Sequence, residues 1–145
     1  MDFVVVGGVA AVLQGAPIST FDLDVVHSRE EANIRRLLTA LESLDACFRL
    51  QPERRLRPNA SHLSSPGHQL LLTRFGPLDL LGEVGRSRSY PELVKRTVEM
   101  QVGEAVSVRV LDLETLIAVK EEAAAEKDLA ALPVLRRTLE EKSRK

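Results

Sequence analysis

The sequence predicts an α/β domain built on a mixed β-sheet, and three observations carry that prediction. Short apolar runs of strand length alternate with segments of helical periodicity, two pairs of such runs are joined by tight glycine turns, and the stretch from residue 112 onward reads as helix. Tight turns join antiparallel strands, whereas strand–helix passages permit parallel neighbours, so both pairings are expected in one sheet. The length of 145 residues fits one domain, with a core over about residues 3–110 and C-terminal helices over about 112–142.

Residues 3–6 are a continuous apolar run suited to a buried strand. Residues 9–14 form a short helix ended by Gly15 and Pro17. Residues 23–26 are the second strand. Ser28 with Glu31 three residues on reads as a capping box, and the helix behind it carries Ile34, Leu37, Leu38, Leu41 and Leu44 at helical spacing. Residues 47–50 are expected as a third strand. Residues 51–67 are polar and hold Pro52, Pro58 and Pro66, which predicts a loop longer than most in compact domains. Residues 69–74 and 78–82 form a hairpin around Gly76-Pro77, residues 90–96 a short helix, and residues 98–102 and 106–110 a second hairpin turning at Gly103-Glu104. Asp112 caps a helix to about Ala125, with Leu113, Leu116, Ile117 and Lys120 on related faces. Asp128 caps a last helix, which contains Pro133 and is expected to kink there.

Composition excludes several classes. Aromatic residues make up 3% of a chain that is 44% hydrophobic, so the core must be aliphatic. A net charge of −1 argues against a strongly basic nucleic-acid binder. The single cysteine, Cys47, permits no intrachain disulfide and fits a reducing, cytoplasmic setting; it reads as a small core residue. The apolar start lacks a basic leader, carries Asp2 and is interrupted by Gly7-Gly8, so it reads as structure rather than targeting. No run approaches the ~18 apolar residues of a transmembrane helix. His27, His62 and His68 lack metal-ligand spacing.

The chemistry gathers at two places. Gly7 and Gly8 end the first strand, and fourteen residues after Gly8 an Asp22-Leu23-Asp24 triplet opens the second. In a strand, residues i and i+2 share a face, so Asp22 and Asp24 are expected side by side. Paired carboxylates repel unless a cation lies between them, and hard oxygen ligands suit Mg²⁺. A glycine turn offers backbone N–H groups to phosphate. Together they suggest a magnesium-dependent site acting on a nucleoside triphosphate. The second place is Asp79, flanked by Leu78, Leu80 and Leu81, where a charge in an apolar strand needs a partner. The residues Gly-Gly-Val-Ala-Ala-Val do not make a dinucleotide fingerprint, and no Gly-Lys-Ser/Thr triplet marks a P-loop. Arg49, Arg54, Arg55 and Arg57 cluster at the long loop, either solvated or gripping a phosphate-rich acceptor.

This pattern resembles the nucleotidyltransferase superfamily. The residues that carry the resemblance are Val6-Gly7-Gly8, Asp22-Leu23-Asp24, and Asp79 within Gly-Pro-Leu-Asp-Leu-Leu. Downstream, Leu116-Ile117-Ala118-Val119-Lys120 and Glu126-Lys127-Asp128-Leu129 are similar to the C-terminal helical motif of small bacterial members, among them abortive-infection-type toxins. The resemblance spans about residues 3–140. It implies a central mixed sheet flanked by helices, with further helices at the C-terminal end. It implies transfer of a nucleoside monophosphate from an NTP to a hydroxyl, releasing pyrophosphate. Two Mg²⁺ ions, or Mn²⁺ in their place, would be held by Asp22, Asp24 and Asp79, with Asp79 nearest the attacking hydroxyl as a base. Gly7, Gly8, Thr20, Lys120, Lys127 and Asp128 would meet the nucleotide.

Simpler roles stay open beside these: Thr20 bonding the strand backbone, Lys120 snorkelling at a core edge, Asp128 as an N-cap. The chain departs from the pattern in opening at the first strand rather than at a helix ahead of it, and in placing Ile18 where an arginine often stands. The acceptor is open among a small molecule, an RNA end and a protein. So is the purpose: a free-standing enzyme, a toxin that modifies tRNA or protein under an antitoxin, a non-catalytic nucleotide-binding module, or an interaction protein with solvated carboxylates.

Overall fold

The computed structural model describes residues 1–123 and 126–144, and the side chains of all of these except Glu126 and Lys127. Seven strands form one sheet in the order β3-β4-β5-β2-β1-β9-β8. They are β1 (Phe3–Val6), β2 (Leu23–His27), β3 (Cys47–Phe48), β4 (His68–Thr73), β5 (Gly76–Leu81), β8 (Thr97–Gly103) and β9 (Val106–Leu111). The sheet is mixed: β1 is antiparallel to β2 and parallel to β9, β2 is parallel to β5, and β4–β5 and β8–β9 are hairpins. Two-residue strands β6 (Glu83–Val84) and β7 (Arg88–Ser89) make a separate small ladder that the sequence did not announce.

Helices α1 (Gly7–Leu13), α2 (Glu31–Ser43), α3 (Ala60–Ser64), α4 (Tyr90–Leu93), α5 (Leu113–Ala123) and α6 (Glu126–Ser143) surround the sheet. Strand alternation divides them. Val4, Val6, Asp24 and Val26 share one face of β1 and β2, while Val5, Val25 and His27 share the other. His27 is buried and its Nε2 donates to the Leu63 carbonyl of α3, which places α3 on the face away from Asp24. Asp24 looks instead into a space walled by α1, α5 and α6. The core is aliphatic, as composition requires, with Val4, Val26, Leu71, Val110 and Leu135 fully enclosed.

Several local expectations are corrected. Helix α1 begins at Gly7, two residues early: Gly7 turns the chain at φ +67°, a conformation that favours glycine, and the helix follows at once. Strand β2 begins at Leu23, so Asp22 stands one residue ahead of it rather than inside it. The Ser28–Glu31 capping box does not form. No side chain among the described residues caps α2; buried Asn33 instead ties its start to the chain ahead of it, donating from Nδ2 to the Ser28 and Asp2 carbonyls at 2.8 and 3.0 Å and accepting from the Asp2 N–H. β3 spans only two residues. The 51–67 segment is not all loop, since α3 forms within it: Asn59 and His62 cap each other and Leu63 is completely buried. Asp128 is the third residue of α6 and not its N-cap. Asp112 does cap α5, accepting from the Thr115 N–H at 2.8 Å.

Gln14 anchors the C-terminal helices to the rest. Its amide donates to the Ala10 and Leu111 carbonyls, and its oxygen accepts from Lys142 of α6 at 3.0 Å. No helix among the described residues is long and apolar enough to cross a membrane.

Candidate active site

A cleft of about 720 Å³ opens over the middle of the sheet, and Gly7, Gly8, Thr20, Asp22, Asp24, Asp79, Lys120 and Asp128 all line it. The topology explains how residues so far apart in sequence meet. The end of β1 lies against the start of β2, with Val6 opposite Asp24. Parallel β5 then sets Asp79 directly opposite Asp24. Neighbouring strands lie ~4.8 Å apart, so residues in register on one face present their side chains together.

Glycine is needed at both positions of the turn. A Cβ on Gly7 would overlap the Asp24 carboxylate, and one on Gly8 would come within 2.7 Å of the Thr20 hydroxyl oxygen and 2.9 Å of its Cβ. The Thr20 hydroxyl donates to the Asp22 carbonyl at 3.3 Å, which is the backbone role weighed for it. The Asp22 side chain is half-buried and makes no hydrogen bond or ion pair among the described residues.

The opposite wall comes from the C-terminal helices. Lys120 of α5 donates to Asp128 of α6 at 3.2 Å, with the two side chains 19% and 18% exposed. The lysine is therefore not simply snorkelling and the aspartate is not simply a cap: they neutralise each other at the cleft wall. The side chain of Lys127 lies outside the described residues.

Asp79 has a partner that sequence reasoning left with the loop. Arg49 donates from Nη1 to Asp79 Oδ1 at 2.9 Å. Arg49 falls within the third strand expected over 47–50, but reach across β4 is a property of the sheet order, which single-residue patterns do not carry. The other arginines of that segment are engaged locally: Arg55 and Arg57 pair with Asp45, and Arg54 bonds Gln51. Two apolar side chains at the cleft were also missed. Phe21 is 90% exposed and Leu70, opposite Asp79 on β4, is 44% exposed.

A clamp fixes the rim. Glu122 of α5 accepts from the Arg86 N–H at 2.9 Å and takes a bidentate grip from Arg88, at 3.0 and 2.7 Å. The Arg88 guanidinium and then the Arg86 N–H hold its carboxyl well below the usual range, at about 2. The turn between β6 and β7, whose Gly85 lines the cleft, is thereby tied to α5.

The donor set suits a hard divalent cation, being carboxylate oxygen throughout. Gly7 leaves open the space beside Asp24 that a side chain would fill. Among the described residues, no group of three or more His, Cys, Asp or Glu side chains is already gathered as ligands. The cation at Asp79 is a guanidinium. Asp22 and Asp24 thus fit a Mg²⁺ or Mn²⁺ ion, while Asp79 carries its own counter-charge. No protein-family model matches the chain, and a search of curated proteins returns no match.

Proposed function

We propose that the cleft is the active site of a Mg²⁺-dependent nucleotidyltransferase, which moves a nucleoside monophosphate from an NTP to a hydroxyl acceptor. The observation that supports this reading best is the register of Asp24 and Asp79, side by side on one face of parallel strands at the floor of a cleft. Carboxylates set side by side on one face suit chemistry on a phosphate that a hard divalent cation accompanies. Lys120 and Asp128 on the facing wall, and the Gly7-Gly8 turn, supply what a triphosphate needs around that floor.

Each group then has a task. Asp22 and Asp24 would hold the divalent ion, whose contribution when bound is to offset the negative charge of the triphosphate. Lys120 swings from Asp128 to a phosphate oxygen. Asp79 Oδ2, the oxygen that Arg49 does not engage, accepts the proton of the acceptor hydroxyl. The acceptor oxygen bonds to the α-phosphorus, the bond from that phosphorus to the bridging oxygen breaks, and pyrophosphate leaves with the bonding pair. The protein does this by placing the two oxygens in line rather than by covalent chemistry.

The test is a melting panel of ATP, GTP, CTP and UTP with and without Mg²⁺, on wild type and on Asp22→Asn. A ligand at 100 times its dissociation constant stabilises by about 2.7 kcal/mol, or roughly 5–10 °C at this size. A magnesium-dependent shift with at least one nucleotide, lost in Asp22→Asn, supports the reading. No shift with any of the four counts against it.

A further inference from the structure

Asp79 is held by a cation that its own strand does not supply. The backbone N–H of Arg49 donates to the Leu70 carbonyl at 2.9 Å, which sets Arg49 beside Leu70. Leu70 in turn lies directly opposite Asp79. The guanidinium therefore crosses β4 over the exposed Leu70 and reaches Asp79 from the side away from Asp24. Its Nη1 lies 2.9 Å from Asp79 Oδ1 and 3.4 Å from the Leu71 carbonyl, and the arginine side chain is 31% exposed against 11% for the aspartate.

A divalent ion brought to a carboxylate so placed meets a fixed positive charge within a few ångströms, and the attraction it would gain is already taken up. An arginine stays charged at any working pH, so the competitor does not leave by losing a proton. Resting on the nucleotidyltransferase reading, we propose that Arg49 takes the place of a second divalent ion at Asp79. One ion enters with the nucleotide on Asp22 and Asp24. The guanidinium holds the Asp79 carboxylate toward the acceptor side. Arg49 is a positioning residue, since it acts through Asp79.

The experiment counts bound Mn²⁺ per chain by electron paramagnetic resonance, with each of the four α,β-methylene NTPs present. The expected counts are about one for wild type, about one for Asp79→Asn, about one for Arg49→Lys, and about two for Arg49→Gln. Melting of each variant is recorded alongside. Two ions on wild type, falling to one in Asp79→Asn, would overturn the assignment and leave the nucleotidyltransferase reading standing. A folded Arg49→Gln that still binds one ion would overturn it as well. Should Arg49→Gln not fold, wild type against Asp79→Asn still decides, equal counts supporting and a lost ion refuting. No bound ion on wild type with any analogue would overturn the nucleotidyltransferase reading, and this assignment with it.

Discussion

Two ion pairs face each other across the cleft, and they are built differently. Arg49–Asp79 sits on the sheet: both partners are placed by backbone ladders, and Asp79 is additionally locked opposite Asp24. Lys120–Asp128 sits on the helices and joins α5 to α6, each residue placed by its own helix and by how the two pack. The sheet pair is bound to strands whose register a one-residue slip would destroy, since every side chain would change face. The helix pair joins two flexible side chains and can part without moving any backbone. On the proposed function, the floor is the fixed part of the site, and the wall is where a charged ligand would be exchanged for an internal partner.

The comparison predicts an ordered series of effects. The largest belongs to the floor. Asp24→Ala should reduce nucleotidyl transfer by at least about 1000-fold while the protein still melts cooperatively. Transfer within tenfold of wild type would show that the floor carries no chemistry. Next comes the turn beneath it. Gly7→Ala puts a Cβ onto the Asp24 carboxylate at a positive φ, so urea denaturation should show a loss of about 1–3 kcal/mol, together with loss of nucleotide binding. Gly15→Ala also has positive φ but meets nothing nearby; it should destabilise without touching binding.

The wall should respond more mildly. Lys120→Met leaves Asp128 partly buried without its cation, costing about 1–2 kcal/mol, and should weaken nucleotide affinity about tenfold in a binding titration. An affinity unchanged from wild type would confine Lys120 to a structural role.

The smallest effects come from pH. Burial, then the nearby Arg29 charge, hold the His27 pKa below 6.5 despite the Leu63 hydrogen bond. The unfolded chain takes up that proton first, so this contribution is complete above pH 6.5 and fades as pH falls below it. Glu122 behaves as a depressed carboxylate: its contribution is complete above pH 4.5 and is lost as pH falls toward 2. Urea titrations from neutral pH downward should show both stages. Glu122→Gln should remove the second and leave the first.

How much of this was legible in the sequence follows from the range of each signal. Period-two and helical patterns are local, so β1, β2, both hairpins and the apolar face of α2 could be read from the residues. Gly7-Gly8 and Asp22-Leu23-Asp24 stood out because turn chemistry and carboxylate spacing are local too. What failed depended on tertiary partners. Helix α3 is short and proline-flanked, and it exists because Leu63 is buried and His27 reaches its carbonyl. The cap expected from Ser28 does not form, and the start of α2 is held by Asn33, whose side chain bonds the Ser28 carbonyl and reaches Asp2 across the fold. Asp128 looked like a cap because Lys120, eight residues away, was not visible as its partner. Arg49 was unreadable for the same reason: its reach to Asp79 exists only once β3, β4 and β5 lie side by side.

The most direct test of the account follows label from the nucleotide. The protein, Mg²⁺ and each α-³²P-labelled NTP would be incubated with three acceptor pools, RNA, protein and small metabolites, using wild type, Asp24→Asn and Asp79→Asn. The account predicts that wild type places label on one pool with release of pyrophosphate, and that both variants place none. Equal labelling by wild type and variants, or none by wild type although the nucleotide binds, would contradict it.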